Sequence, residues 1–305
     1  MKIFRLWIVL CLAPSALFAA AEVEALFRRD AKAYDPQYAE MTVVFLDVGQ
    51  GDSTFIKTPN GRTVLIDGGG TPAWSDLDFE PGREVVVPFL EERGVLKLDY
   101  VVISHPHGDH IAGLLEVFRR VPVKNLVDPA LEAEEPEYSE LLKLAKKNKT
   151  EYVVVGEGDL LPIDPALEVR VLSPPRDYVY PDLNNSSCVL RITYRNVSFL
   201  LTGDIEEDAE NRLAREYKNK LRSQILKVPH HGSRTSTSLR FLDLVKPETG
   251  IVMVGRGNLF GHPHPQSLSR FRARNILLYR TDNDGNVTVR TDGLHYKVTT
   301  AREAQ

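Results

Sequence analysis

The sequence predicts an α/β protein: a single domain in which sheets are packed between helical layers. Three observations carry that prediction. Short apolar runs bounded by glycine and proline turns recur in both halves of the chain, amphipathic stretches at helical spacing alternate with them, and no internal repeat or long low-complexity linker follows Met41. The composition, 43% hydrophobic and 26% charged over 305 residues, supports a sizeable core and excludes collagen-like, low-complexity and disordered chains. Two cysteines exclude a disulfide framework and a four-thiolate zinc site. A formal net charge of −4 argues against a protein that coats nucleic acid by bulk charge.

Residues 1–21 read as a secretory signal peptide. Lys2 and Arg5 give a positive start, 6–12 are apolar, Pro14 and Ser15 break the run, and Ala19-Ala20-Ala21 supplies a small-residue cleavage site. The apolar run is too short for a comfortable membrane span, so no stable span is expected after cleavage, and the mature chain is expected in the periplasm or secreted. Cleavage removes Cys11 and leaves Cys188, which reads as a buried small hydrophobe. Residues 22–40 read as a linker or short docking segment, 41–298 as the folded domain and 299–305 as a C-terminal tail.

Within the domain, strands are expected at 41–47 and 53–57, flanking the Gly49-Gln50-Gly51-Asp52 turn. Asn60-Gly61 predicts a type I′ hairpin turn into a strand at 63–66, which runs into Asp67-Gly68-Gly69-Gly70. A helix follows at 85–93 and a buried strand at 98–104. Ile111, Leu114, Leu115 and Phe118 repeat at helical spacing, and 138–148 is a second amphipathic helix. Strands are expected at 152–155, 167–172, 188–194 and 198–202, then a helix at 206–217, a strand at 224–228 and a helix at 238–244. Strands at 250–254, 276–279 and 286–289 complete the pattern.

The chemistry concentrates in Ser104-His105-Pro106-His107-Gly108-Asp109-His110, between a buried strand and a helix. Residues two apart in extended chain point to one side, so His105 and His107 can converge on one ion. Gly108 lets the chain turn, and Asp109 and His110 can then face a second position. Three imidazoles and a carboxylate are borderline ligands that suit zinc, iron or manganese. Taken singly, Asp109 also qualifies as a helix N-cap, but capping does not explain the cluster. Thr202-Gly203-Asp204 ends an apolar strand with a carboxylate placed to bridge two ions, though a strand-end Gly-Asp alone is an ordinary turn. Val228-Pro229-His230-His231-Gly232-Ser233 again puts histidines after a strand. Adjacent histidines point in different directions, so one of the two is expected to bind metal and the other to touch substrate or donate a proton. His262 and His264 lie on a proline-rich loop.

Together with Leu65-Ile66-Asp67-Gly68-Gly69, this H-x-H-x-D-H signature resembles the metallo-β-lactamase superfamily. Phe45 to Asp52, Asn184-Asn185-Ser186-Ser187, Leu226 to Ser233, Gly261 to Pro265 and Arg280-Thr281-Asp282 are similar to the ComEC-type (competence/DNA-internalisation) hydrolase domain. The resemblance covers 42–298. It implies a four-layer αβ/βα sandwich with two ions, zinc first and manganese or iron as alternatives, at one edge between the sheets. It also implies that His105, His107, Asp109, His110 and Asp204 bind metal, with His230 favoured over His231 as the last ligand. Many members carry a further histidine between the first motif and the bridging aspartate. None lies between His110 and His230 here, and Asn184 to Ser187 occupies that region. Water, an Asn or Ser side chain, or substrate would complete the His105/His107 position. ComEC's membrane channel has no counterpart among these residues.

The expected function is that of an exported metal-dependent hydrolase, a phosphodiesterase or nuclease acting on DNA or nucleotides through a metal-activated water. Asp109, His231 and His262 are the residues expected at the reacting group, and Asp67 is expected to orient a ligand histidine. Hydrolysis of a small ester, a lactone or a choline phosphodiester is the alternative chemistry. A non-catalytic metal-binding module of an uptake complex is the alternative of another class. Basic stretches at Lys143, Lys146, Lys147 and Lys149, at Lys218, Lys220 and Arg222, and at Arg270, Arg272 and Arg274 suit a phosphate-bearing substrate. No protein partner is read from the sequence.

Overall fold

The computed structural model describes residues 39–71 and 78–302; the expected signal peptide and residues 22–38 lie outside the described residues. β1 (Met41–Phe45), β2 (Thr54–Lys57) and β3 (Thr63–Ile66) form an antiparallel meander. β4 (Leu98–Val102), β5 (Val123–Asp128) and β6 (Glu151–Val154) extend it in parallel from β3. A second, six-stranded sheet contains β7 (Leu167–Ser173), β8 (Val189–Tyr194), β9 (Val197–Leu201), β10 (Ile225–Lys227), β11 (Thr249–Val252) and β12 (Leu277–Arg280). β13 (Val287–Thr291) and β14 (Tyr296–Thr300) return to the first sheet, whose order is β14-β13-β1-β2-β3-β4-β5-β6.

The layers follow from side-chain alternation. Val43 and Phe45 of β1 face the second sheet and pack with Val169, Leu190, Phe199 and Ile251. Val44 faces the other way with Phe55, Leu65 and Val101. That outer face is covered by α1 (Val87–Glu92), which continues a π-helical turn at Gly82–Val86, and by α2 (Gly108–Arg120) and α3 (Pro136–Lys147). Leu200, Leu226 and Val252 bury the outer face of the second sheet under α4 (Glu207–Glu216), α5 (Leu239–Val245) and α6 (Pro265–Arg272). Three apolar seams therefore separate four layers, αβ/βα, as expected. Each fully buried Leu or Phe in a seam is worth about 1.5–3 kcal/mol.

The structure departs from the expected elements in four places. β5 (VKNLVD) hid because Lys124 and Asn125 interrupt its apolar run; Asn125 is buried and its amide donates to the Asp99 carbonyl at 2.8 Å. α6 was masked by its flanking prolines and polar composition. β14 extends the folded domain past 298, since Thr300 still pairs with Val287. The hairpin after β2 is also not type I′. Only Gly61 of the Asn60-Gly61 pair has positive φ (79°), and its N–H donates to the Thr58 carbonyl at 2.9 Å, giving a type I turn with a glycine bulge. The Asp164 carboxylate holds Asn60 there, accepting its N–H at 3.1 Å and its amide at 2.7 Å.

β3, β4, β9, β10 and β11 all end at one edge, where the two sheets face each other. In parallel α/β sheets the loops beyond the strands' carboxyl ends form the natural binding crevice. Among the described residues no helix is long and apolar enough to cross a membrane.

Candidate metal centre

The first histidine motif sits in the turn from β4 into α2. His107 is extended (φ −69°, ψ 146°), and the helix begins at Gly108. Glycines let this turn lie against the neighbouring loops. A Cβ on Gly70 would stand 1.9 Å from the Gly108 carbonyl oxygen, and one on Gly51, already at φ 132°, would stand 2.1 Å from that of Asp109. The close approach at Gly51 brings Asp52 beneath the histidines, with its N–H on the Asp109 carbonyl at 3.3 Å.

His105 and His110 are fully buried. His105 Nε2 and His107 Nδ1 meet at 3.0 Å, as the extended spacing predicts. His110 Nδ1 donates to Asp67 Oδ2 at 2.9 Å, and Asp67 Oδ1 accepts the Ser104 N–H at 2.8 Å. This fixes the His110 tautomer and turns Nε2 inward, the arrangement a metal-binding imidazole needs. His110 Nε2 lies 3.3 Å from Asp204 Oδ2, and His231 Nε2 lies 3.2 Å from the same oxygen and 3.4 Å from Asp109 Oδ2. His231 Nδ1 donates to the Met253 carbonyl at 2.9 Å, which fixes its tautomer in the same sense.

Both inward nitrogens, His110 Nε2 and His231 Nε2, are buried without a hydrogen-bond partner, although carboxylate oxygens lie beside them. Lone pairs and carboxylates converging on one point without hydrogen-bond geometry fit a cation. Ligand atoms of Asp109, His110 and His231, and of His105, His110 and Asp204, lie within 4.8 Å of one another. The electrostatics agree. Burial works to lower His110 and His231, but Asp204 leads the carboxylates that outweigh it and raise both well above the ordinary histidine range. Burial works to raise Asp204, and the neighbouring His231 and His110 hold it well below the usual carboxylate range. His105 is pushed well down by burial and by His110, leaving a neutral imidazole.

Two residues not assigned a role from sequence complete the floor of the site. Lys227, at the end of β10, is buried, and its ammonium contacts Asp52 Oδ2, Asp204 Oδ1 at 3.2 Å and the Gly203 carbonyl at 2.8 Å. Burial works to raise Asp52, and the Lys227 charge outweighs it, so the carboxyl stays below its usual range. Both residues lie inside motifs that were legible, Gly49 to Asp52 and Leu226 to Ser233, but a lysine in an apolar strand gives no metal-ligand signal.

The two adjacent histidines exchange their expected roles. His231, not His230, joins Asp109 and Asp204. Both have left-handed φ (46° and 51°), so the chain coils tightly and sends the rings apart. Single non-glycine residues held there cost about 1–2 kcal/mol each. His230 lies farther out, Nε2 3.9 Å from Asp204 Oδ2, and its Nδ1 donates to Glu206 Oε1 at 2.9 Å. His262 stands behind this pair, its ring centroid 5.6 Å from His230 and 6.4 Å from His231. Burial, then His231 and His230, push His262 down to about 4, which makes it a hydrogen-bond acceptor at neutral pH and not the proton donor expected. His264 is occupied in capping α6, accepting the Gln266 N–H at 3.2 Å.

A family model of the metallo-beta-lactamase superfamily matches residues 46–256. The chain belongs to that superfamily. It is 35% identical over 263 residues to ComE operon protein 3 of Bacillus subtilis (strain 168), covering 83% of this chain and 33% of that protein. It is 32% identical over 246 residues to Competence protein ComA of Neisseria gonorrhoeae, covering 81% of this chain and 32% of that protein. The chain thus spans about a third of the length of these relatives. CmlA, a diiron beta-hydroxylase from Streptomyces venezuelae, shares the fold at 16% identity with a TM-score of 0.50, covering 82% of this chain and 54% of that one. Fold and donor set together are those of a metallo-beta-lactamase-type hydrolase dependent on a divalent metal.

The superfamily's further histidine has no equivalent here, and Asn184 to Ser187 does different work. Ser187 Oγ accepts the Asp204 N–H at 3.1 Å and donates to the Asn184 carbonyl at 2.7 Å, bracing the bridging aspartate from behind. Asn185 Oδ1 accepts the N–H groups of Glu206 and Ala209. The Asn184 amide oxygen is buried without a hydrogen-bond partner. Of the expected basic rim, Arg270 and Arg274 are engaged structurally, on the Ser236 carbonyl and on Asp243.

Proposed function

We propose that this metallo-beta-lactamase-fold chain is an exported phosphodiesterase or nuclease that holds two zinc ions and cleaves DNA or nucleotides. The observation that carries the reading is the convergence of His110 Nε2, His231 Nε2 and Asp109 on Asp204, with the His230–Glu206 pair at its rim. His105, His107 and Asp204 would hold one ion, and Asp109, His110, His231 and Asp204 the other. Ions bound there supply an acidic water and positive charge for a phosphoryl oxygen. The chain's own residues do the rest. Asp67 and the Met253 carbonyl hold the two inward imidazoles in one tautomer. His230, backed by a carboxylate, is the group placed to pass a proton to a departing alkoxide; its bond to Glu206 holds that carboxyl below the usual range. His262, neutral, positions the substrate.

The names of the relatives, competence proteins, support DNA as the substrate class, and the leader pattern at 1–21 supports export. The test is hydrolysis by the zinc- or manganese-loaded protein of single-stranded and plasmid DNA, bis-p-nitrophenyl phosphate and a lactone panel. DNA and the diester should be cleaved, and Asp204→Ala should abolish both. DNA left intact beside hydrolysed lactone would overturn the reading. Export is checked by the mass of the released chain, which should lack residues 1–21.

A further inference from the structure

The loop between β11 and α6 carries a feature the metal chemistry does not use. Leu259 and Phe260 are exposed at its tip, 84% and 50%. The loop beneath them is nevertheless tightly tied. Asn258 donates its amide to the Gly255 and His262 carbonyls at 3.0 and 2.7 Å and accepts the His262 N–H at 3.0 Å. Gly255 N–H donates to Gln50 Oε1 at 3.2 Å, and the Arg256 guanidinium donates to the Asp282 carbonyl at 3.0 Å. Gly257 and Gly261, at φ 67° and 69°, bracket the tip. A loop pinned at so many points holds its apolar side chains out in a fixed place, and fixed exposed apolar groups mark a surface that a ligand covers.

The position of Phe260 says which ligand. Its ring stacks on His262 at 5.8 Å with 14° between the planes, and His262 leads to His230 and His231. Phe260 is therefore the outer end of a row of rings whose inner end is the candidate metal centre. Arg234, exposed and without an ion-pair partner among the described residues, adds positive charge on the loop that follows His231.

We propose that Phe260 is a base-stacking residue: a nucleobase of a single-stranded substrate lies on its ring while the adjoining phosphodiester reaches the His230–His231 end of the row. A planar aromatic beside a phosphate site accepts any base, because every base offers a π-face. The inference rests on the phosphodiesterase reading and narrows its substrate class to single strands with intact bases.

The experiment uses the full, metal-loaded chain and two matched oligonucleotides, one carrying 2-aminopurine at a central position and one abasic there. The wild type should quench 2-aminopurine on binding and cleave the intact strand faster than the abasic one, on the order of tenfold to a hundredfold. Phe260→Ala should lose both the quench and the preference. Phe260→Trp should restore them, and Phe260→Leu, equally apolar but without a ring, should not. The Trp–Leu comparison holds even if the alanine variant folds poorly. Cleavage with the preference retained in Phe260→Ala and Phe260→Leu overturns the stacking role and leaves the nuclease intact. A wild type that hydrolyses a lactone but neither binds nor cuts either strand overturns both readings.

Discussion

His230 and His231 are chemically identical neighbours, and backbone conformation alone separates their roles. Both lie in the left-handed region, and only His231 turns Nε2 onto Asp109 and Asp204. His231→Ala should therefore lower the metal bound per chain and abolish hydrolysis. His230→Ala should keep its metal and lose about a hundredfold in rate, the ordinary worth of a positioned proton donor. Metal content measured beside bis-p-nitrophenyl phosphate turnover separates the two; equal metal loss would return the ligand role to His230. Lys227 is the other residue whose identity is decided by its surroundings. It is buried against Asp52 and Asp204, so Lys227→Met strands buried carboxylates without a cation and should cost about 3–5 kcal/mol in urea unfolding. Adding Asp52→Asn should recover part of that loss, because one of the stranded charges is then gone.

At the scale of elements, the readable strands were those whose apolar run is unbroken, such as β4 and β9, and the readable helices those with a clear stripe, such as α2. β5 escaped because its buried polar residue, Asn125, is satisfied by a partner distant in sequence. The site was legible for a different reason: its ligands lie in short loops directly after strands, so sequence spacing fixes which of them are neighbours. What spacing could not give was direction, hence the exchange of His230 and His231, and it could not give partners brought in by the tertiary fold, hence Asp52 and Lys227. The link between α4 and the histidine loop is likewise tertiary. Glu210 of α4 is buried and accepts the N–H groups of Thr237 and Ser238, tying down the loop that follows His231. Burial raises its carboxyl to about 7 from 4.5. The native state thus holds this proton after the unfolded chain has lost it, so its contribution to stability is full below pH 4.5 and falls as pH rises towards 7. Relative to Glu210→Gln, the wild type should lose up to about 3 kcal/mol between pH 5 and pH 8. Urea titrations of both proteins at the two pH values test this, and parallel curves would sink it.

At the scale of the whole molecule, the candidate centre joins the two sheets. Asp109 and His110 belong to the turn after β4 of the first, and Asp204 and His231 follow β9 and β10 of the second. An ion held by all four cross-links the sandwich at its open edge, so metal affinity and global stability are one quantity measured twice. At a hundredfold excess over the dissociation constant the ion adds about 2.7 kcal/mol, or about 5–10 °C in a domain of this size. The sign of the pH dependence follows from the imidazoles. Asp204 and its neighbouring carboxylates raise His110 and His231 well above the usual histidine range, so a metal must displace protons from them to bind. Affinity accordingly rises with pH. The rise in melting temperature on replacing EDTA with zinc or manganese should be larger at pH 8 than at pH 6, and Asp204→Ala should erase it at both. A shift of equal size at the two pH values would mean that these histidines do not meet the ion.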